Sequence, residues 1–252
     1  MTVRFDDLAL TWLGYATLRI AAPDVTIYFD PGRYGVLTGD WAPRTDAVAA
    51  SHPPASEYDA ADGDLVCVTH RHHYDPDGIE RVATPGATVL VPEGLNVHGA
   101  ERTDVRPATL SADVHRVGTE DERLAAGVPT WTVPAYNEPE GPHTRADGTP
   151  HHPKGRGCGY LLAVGGTRVF WPGGTDVLPG HEHLDVDVFV PPIGGRVTMD
   201  RHEAADLAAA LDPGLVLPIH YDTHEVIETD ARAFAADVAA DGVPVALDGS
   251  GD

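Results

Sequence analysis

The sequence predicts an α/β fold on three observations. The chain has 252 residues of which 42% are hydrophobic, enough for one globular domain with a sizeable core. Residues 65–69 and 215–219 are short apolar runs, as expected of strands buried on both faces. Residues 200–211 and 229–241 have the length and apolar spacing of amphipathic helices. No linker-like segment divides the chain, so we expect residues 1–252 to form a single domain.

Strands are predicted wherever short apolar or β-branched runs are bounded by turn residues. These runs are residues 8–13, 16–20, 25–29, 65–69, 88–91, 128–133, 160–164, 168–171, 187–190 and 215–219. Gly165 and Gly166 separate two of them and predict a hairpin turn. Pro76 is placed to open a short helix. Residues 136–154 are rich in Pro, Gly and His and predict a long loop, which is usually functional or mobile.

Charge is the strongest compositional signal. The net charge is -22, and of the 17 basic residues only Lys154 is a lysine, which leaves 16 arginines. A surface that is rich in carboxylates and nearly free of lysine is typical of a halophilic protein from a high-salt cytoplasm, where salt screens the mutual repulsion. The same balance argues against a broad nucleic-acid surface, which needs clustered basic residues.

Location and redox state follow from what the sequence lacks. No run of about 18 apolar residues is present, so no membrane-spanning helix is expected. The first residues do not form a basic and then apolar signal peptide, and we therefore expect a cytoplasmic protein. Cys67 and Cys158 are the two cysteines, and both are interpreted as small core residues.

Histidines fall at the ends of predicted strands. His70 and His220 each follow an apolar strand directly, His72 comes two residues after His70, and His152 lies near the end of the long loop. Active sites of layered α/β folds gather at strand ends. A single histidine is more often structural, but His70 and His72 with Asp75 close behind favour a site for Zn²⁺ or a related metal.

A set of short motifs resembles the metallo-β-lactamase superfamily, and within it the ascorbate-6-phosphate lactonase-like branch of metal-dependent hydrolases. In family order, the motifs are WLGYA at 12–16, FDP at 29–31, VTHRH at 68–72, VPAYN at 133–137, HPKG at 152–155, GGTD at 173–176, TMD at 198–200 and PIHY at 218–221. The combination is specific although each motif alone is weak. The resemblance implies a four-layer αββα sandwich with its metal site at one edge, between the two sheets.

Site residues follow from the resemblance position by position. It implies one metal site formed by His70, His72 and His152, with His220 as a ligand of a second metal. A metal held by three imidazoles and a water lowers the pKa of that water and polarises the substrate. Asp75 is expected as a further metal ligand that would orient or deprotonate the water. Lys154, beside a candidate ligand, suggests a contact with a substrate anion or phosphate.

The first departure from the family lies in its His-x-His-x-Asp-His run, because residues 70–76 have the sequence HRHHYDP. Without a gap, Tyr74 takes the Asp position and Asp75 takes the position of the last histidine. With one inserted residue, Asp75 keeps its role and Pro76 replaces the histidine. Either alignment alters one ligand of the second metal.

The second departure is Gly174, which stands where the family has an aspartate that bridges two metals. Asp176 could substitute as a ligand only if its loop were re-aimed. We therefore expect one well-formed metal site and a weak or absent second one. Zinc is the expected metal, with manganese or iron as alternatives.

These residues predict a metal-dependent hydrolase that acts on an ester, lactone or phosphoester of a small, anionic substrate. The alternative is a degenerate, non-catalytic member that binds a metal or an anion, and Gly174 and Pro76 motivate it. A nuclease-like role is disfavoured by the acidic composition. Of the other histidines, His143 and His151 are expected near the mouth of the site, and His52 is expected to be structural or to lie at its rim. His181 and His183 are interpreted as caps of a surface turn, and the sequence does not indicate an oligomeric state.

Overall fold

The computed structural model describes residues 2–40, 57–98, 103–223 and 225–247. Two mixed β-sheets and three short helices make up the fold, consistent with the predicted sandwich. His52 lies outside the described residues. No helix within the described ranges is long and apolar enough to cross a membrane.

The first sheet has seven strands in sequence order. They are Thr2–Phe5 (β1), Leu8–Gly14 (β2), Thr17–Ala21 (β3), Thr26–Phe29 (β4), Gly63–Cys67 (β5), Ala83–Pro92 (β6) and Asp113–Val117 (β7). Strands β1 to β4 pair antiparallel, whereas β4 to β7 pair parallel. The register sets Phe29 beside Cys67 and Cys67 beside Leu90, so β4 and β5 end at the same edge.

The second sheet has six strands. They are Glu122–Ala125 (β8), Val128–Pro134 (β9), Cys158–Val164 (β10), Thr167–Trp171 (β11), Val188–Phe189 (β12) and Leu215–Val216 (β13), in the spatial order β13-β12-β11-β10-β9-β8. Strands β8 to β11 pair antiparallel, and β11 to β13 pair parallel. Both sheets thus have a parallel part, whose strand ends form the edge that carries the site.

Two helices connect parallel neighbours, which require a crossover. Pro76–Val82 (α1) lies between β5 and β6, and Arg201–Leu211 (α2) lies between β12 and β13. The third helix is Ala231–Ala240 (α3). A capping box begins α2: Asp200 accepts from the backbone N–H of Glu203, and the Glu203 carboxylate accepts from that of Asp200.

Two hydrogen bonds tie the sheets together at the edge that carries the site. The Tyr160 hydroxyl of β10 donates to the carbonyl of Val68, 3.0 Å away, just past the end of β5. The indole Nε1 of Trp171, at the end of β11, donates to Oδ2 of Asp30 at 3.0 Å, just past β4. All four residues are buried, so these bonds fix the strand ends of one sheet against those of the other.

Most of the predicted elements are confirmed. The Gly165–Gly166 turn joins β10 and β11, and the predicted helix at 200–211 begins one residue later with Asp200 as its N-cap. The predicted strand at 88–91 is longer and forms part of β6. Strands β1, β7 and β8 were not predicted, because their half-exposed residues show no continuous apolar run.

Candidate metal centre

Three histidines converge at the edge between the sheets. Ligand atoms of His70, His72 and His152 all lie within 4.8 Å of one another, and among the described residues this is the one such group of three. His70 and His72 lie on the turn that follows β5, while His152 comes from the loop between β9 and β10. The family resemblance implied these three residues as one metal site, and the structure brings them together from two separate segments of the chain.

Hydrogen bonds orient the ring of His70. Its Nδ1 lies 3.0 Å from Oγ1 of Thr69, and that hydroxyl donates in turn to Oδ2 of Asp30 at 2.8 Å. Because the Thr69 proton points to the carboxylate, the hydroxyl oxygen accepts from Nδ1–H of His70. The ring therefore keeps the lone pair of Nε2 for a metal, the usual arrangement of an oriented ligand. Burial raises the pKa of Asp30 to about 7 against its hydrogen bonds from Thr69 and Trp171, which lower it.

His152 is held in the same tautomer. Its Nδ1 lies 2.9 Å from the carbonyl of Val197 and 3.1 Å from Oδ1 of Asn137. Both are acceptors, so Nδ1 carries the proton and Nε2 keeps its lone pair. The backbone N–H of His152 donates to the same Asn137 oxygen at 2.8 Å. Asn137 therefore fixes both the backbone and the ring of this histidine.

Two further histidines line a small cavity behind the three. The ring of His73 lies 4.6 Å from that of His70 and 5.2 Å from that of His220, measured between centroids. The ring centroid of Tyr15 lies 4.6 Å from that of His220. The cavity has a volume of about 40 Å³ and is also lined by His72 and His152. It is large enough for a single water or ion.

Sequence reasoning did not single out His73. The structure buries it on the 3-10 turn Arg71–His73, and its Nδ1 has no hydrogen-bond partner among the described residues. Residues three apart eclipse on such a turn, which brings His73 back toward His70. That spacing was the available signal. His220, which the sequence predicted, adopts a left-handed backbone with φ of 61°, a strained conformation of the kind found at functional sites.

Burial keeps the three converging histidines neutral. It is the largest cause that lowers the pKa of His72 to about 3 and that of His152 to about 4. It also lowers the pKa of His70 far below its ordinary value, with added repulsion from neighbouring histidines. The neutral imidazole is the form that binds metals, so the donor set fits a divalent transition metal at neutral pH.

A larger cavity opens beside the three histidines. Its volume is about 340 Å³, within the range of small-molecule sites. His70, His72 and His152 form one wall, and Gly174 and His151 also line it. The expected position of His151 near the mouth is thereby confirmed.

Comparison with known proteins identifies the family. Residues 9–220 match the model described as a beta-lactamase superfamily domain. This chain belongs to the beta-lactamase superfamily. A UPF0173 metal-dependent hydrolase of Thermococcus onnurineus is 29% identical over 229 residues, with 88% of each chain covered. The predicted class of enzyme, a metal-dependent hydrolase, is confirmed at the level of the family.

Solved structures share the fold of this beta-lactamase superfamily member. A protein from Parabacteroides distasonis superposes with a TM-score of 0.68 at 21% identity, covering 98% of this chain and 96% of that one. Igni18, a metallo hydrolase from Ignicoccus hospitalis, gives a TM-score of 0.65 at 22% identity, covering 97% of this chain and 96% of its own. The predicted metallo-β-lactamase fold is thus confirmed.

Asp75 has a different place in this superfamily member from the one predicted. Its carboxylate is the N-cap of α1, where Oδ1 accepts from the backbone N–H of Gly78 at 3.1 Å. Oδ2 accepts from the backbone N–H of Arg33. Asp75 lines neither cavity, so the prediction of a metal ligand and proton acceptor is corrected to a structural cap.

Asp176 is likewise a supporting residue and lies outside the group of three histidines. Its Oδ1 accepts from Nδ2 of Asn137 at 2.7 Å and from Nδ1 of His143 at 2.6 Å. Its Oδ2 accepts from the backbone N–H of Glu138 at 2.8 Å. Asp176 therefore positions Asn137, which in turn positions His152. Both carboxylate oxygens of Asp176 already accept hydrogen bonds. His143, expected near the mouth, is buried beside this carboxylate.

Lys154 does not line the cavity beside the histidines. Its side chain is exposed, and its Nζ lies 5.1 Å from the centroid of the Tyr136 ring. The expected caps His181 and His183 lie on a 3-10 turn, but His181 is buried, with Nε2 3.0 Å from the carbonyl of Pro134.

Proposed function

We propose that this protein uses zinc, held by His70, His72 and His152, to hydrolyse an ester, lactone or phosphoester of a small molecule. The observation that supports this most directly is the convergence of three neutral imidazoles, two of them oriented with Nε2 free. Three histidines and an open position are the donor set of catalytic zinc sites. Manganese and iron also accept imidazole, so the experiment below compares the three metals.

The metal supplies Lewis-acid polarisation of the substrate and makes water more acidic. The protein contributes orientation and access. Asn137 and Thr69 fix the rings of His152 and His70, so the donor atoms need little rearrangement. The 340 Å³ cavity admits a substrate on one side of the histidines, while buried side chains close the other side.

The charge composition supports a halophilic, cytoplasmic setting for this activity. The chain carries 39 acidic residues and one lysine. Dense carboxylates hold hydration in concentrated salt, where mutual repulsion is screened.

The experiment combines metal analysis with a panel of substrates. Metal-free protein is loaded with zinc, manganese or iron, and metal per chain is measured by elemental analysis. Each form is assayed on a neutral ester, a lactone, a phosphorylated sugar lactone and a phosphodiester. His72→Ala is expected to lower metal affinity and hydrolysis by more than about 100-fold, beyond the usual loss for a supporting partner. His183→Ala, with a side chain 80% exposed, is the matched control and should keep both.

The outcomes distinguish the metal-dependent hydrolase from its non-catalytic alternative. Full hydrolysis by the metal-free protein, or by His72→Ala, would exclude the proposal. A protein that binds one metal per chain but turns over no substrate would favour the alternative, a non-catalytic metal- or anion-binding member. Gly174, where the family has a bridging carboxylate, is the feature that motivates this alternative.

A further inference from the structure

Three arginines line the 340 Å³ cavity beside the histidines. Arg71 lies on the turn after β5, and Arg145 and Arg156 lie on the loop between β9 and β10. No Asp or Glu is among the described residues that line the cavity. The chain as a whole has 39 acidic and 17 basic residues. The cavity therefore has the opposite charge balance to the rest of the protein, and composition alone does not account for it.

Each arginine lies on a segment that also carries a candidate metal ligand. Arg71 lies between His70 and His72 on the same turn. Arg145 braces the loop that carries His152, since its Nη1 donates to the carbonyl of Pro150 at 2.8 Å. Nη1 also donates to Oγ1 of Thr149 at 3.5 Å, and Nη2 donates to the carbonyl of His151 at 3.4 Å. Two of the five guanidinium N–H groups therefore have no hydrogen bond to a described residue.

Arg156 follows His152 by four residues and is exposed. None of the three arginines forms an ion pair with a described carboxylate. Their positive charge is therefore not neutralised within the described part of the chain. Like charges around a concave site focus the electric field there, and this field raises the local concentration of anions.

The cavity places the arginines beside the metal centre, because His70, His72 and His152 line it together with the three arginines. An anionic group in the cavity would sit within the same field, close to the three histidines. An adjoining ester or lactone bond would then lie beside the metal position.

We propose that Arg71, Arg145 and Arg156 bind a phosphate group of the substrate, so that this protein acts on phosphorylated small molecules. The inference rests on the proposed function for its catalytic meaning, but the binding site itself does not require a metal. Guanidinium groups match phosphate oxygens in geometry and donate paired hydrogen bonds, and several of them suit a dianion better than a monoanion. This assignment replaces Lys154 as the expected anion contact.

The test measures binding of phenylphosphonate to the metal-free protein by calorimetry, with benzoate and benzyl alcohol as comparison ligands. Without metal, phosphonate oxygens have no ion to bind. Arg71→Ala and Arg156→Ala should each weaken phenylphosphonate binding by about 10-fold or more, as expected for a lost charged hydrogen bond. Arg145 also braces its loop, so Arg145→Lys is used there and should give an intermediate loss. Arg4→Ala, an exposed arginine of β1, is the matched control.

Unchanged binding in Arg71→Ala and Arg156→Ala would overturn the proposal. An equal loss in Arg4→Ala would also overturn it, because the effect would then be one of overall charge. Tighter binding of benzoate than of phenylphosphonate would assign the cavity to carboxylates instead and reject phosphate. Zinc content and hydrolysis of a neutral ester are measured on the same variants. If both persist while anion binding is unaffected, the hydrolase stands and only this inference fails.

Discussion

Gly174 lies directly against the ring of His152. A Cβ atom at position 174 would lie 2.8 Å from Nε2 and 2.9 Å from Cδ2 of that histidine, closer than real contacts allow. The backbone of Gly174 is not in the left-handed region, so glycine is needed here for space. The residue that replaces the expected bridging carboxylate is thus the one that makes room for a candidate metal ligand.

Gly174→Asp should not create a second metal site. The added side chain must displace the imidazole of His152, which is fixed by Asn137 and Val197. We expect zinc affinity to fall about 10- to 100-fold, as it does when a supporting contact of a ligand is lost. Gly174→Ala should give a smaller loss in the same direction. Elemental analysis that finds two metals in Gly174→Asp would contradict this expectation.

Asn137→Ala should weaken metal binding although Asn137 is not a ligand. Its loss removes the oxygen that receives both the backbone N–H and, in part, Nδ1–H of His152. An affinity loss of about 10- to 100-fold is expected, measured by competition with a zinc-binding dye. Asn96→Ala is the control, because Asn96 lines the 340 Å³ cavity and its Oδ1 accepts from the backbone N–H of His98, which is not a candidate metal ligand. Equal losses in both variants would argue against a positioning role.

Acidification should destabilise the metal-free protein below pH 6.5. His72 and His152 have folded pKa values of about 3 and 4, below the ordinary value of 6.5. Above pH 6.5 these rings are neutral in both the folded and the unfolded chain. As the pH falls toward the folded pKa, only the unfolded chain takes up protons at these rings, so the folded state loses stability. Each histidine lowers the free energy of unfolding by at most about 1.4 kcal/mol per pH unit.

The measurement is urea unfolding between pH 7 and pH 5. Asp30 has a pKa raised to about 7, so over this range it takes up one proton in the folded chain, which offsets part of the loss of stability. His72→Gln and His152→Gln should therefore each flatten the dependence on pH relative to the unmodified chain. If neither variant changes the dependence of the unfolding free energy on pH, these rings do not remain neutral in the folded state.

Salt should stabilise the fold. With a net charge of -22, repulsion among carboxylates opposes compaction, and at about 1 M salt the screening length falls to about 3 Å. We expect Tm to rise between about 0.1 M and 1 M KCl, followed by circular dichroism. A Tm that falls or stays constant over this range would argue against a halophilic setting.

The strand-end histidines were predictable because strands can be recognised from short apolar runs, and the residue after each strand is then known. His70 follows β5 by three residues, and His220 follows β13 by four. The grouping of His152 with His70 and His72 depended on the family resemblance, since nothing in their spacing along the chain connects them. Hydrogen bonds such as that from His152 to Asn137 depend on loop conformation, which sequence patterns do not determine.

The carboxylates were mispredicted for a physical reason. Asp75 precedes a proline and a helix, and an aspartate there caps the helix as readily as it binds a metal. Asp176 is two residues from Gly174, but its loop directs it to Asn137 and His143. Of the cavity arginines only Arg71 lies in a family motif, and no sequence pattern links it to Arg145 and Arg156 on the loop between β9 and β10.

The cap formed by Asp75 also joins two parts of the chain. Its two oxygens hold the first turn of α1 and the backbone of Arg33, in the loop that follows β4. An inactive Asp75→Ala protein would therefore be no evidence that this carboxylate transfers a proton, since the turn carrying the histidines would lose its anchor. Asp75→Asn retains an oxygen that can cap α1, so its turnover, compared at matched stability, is the informative quantity.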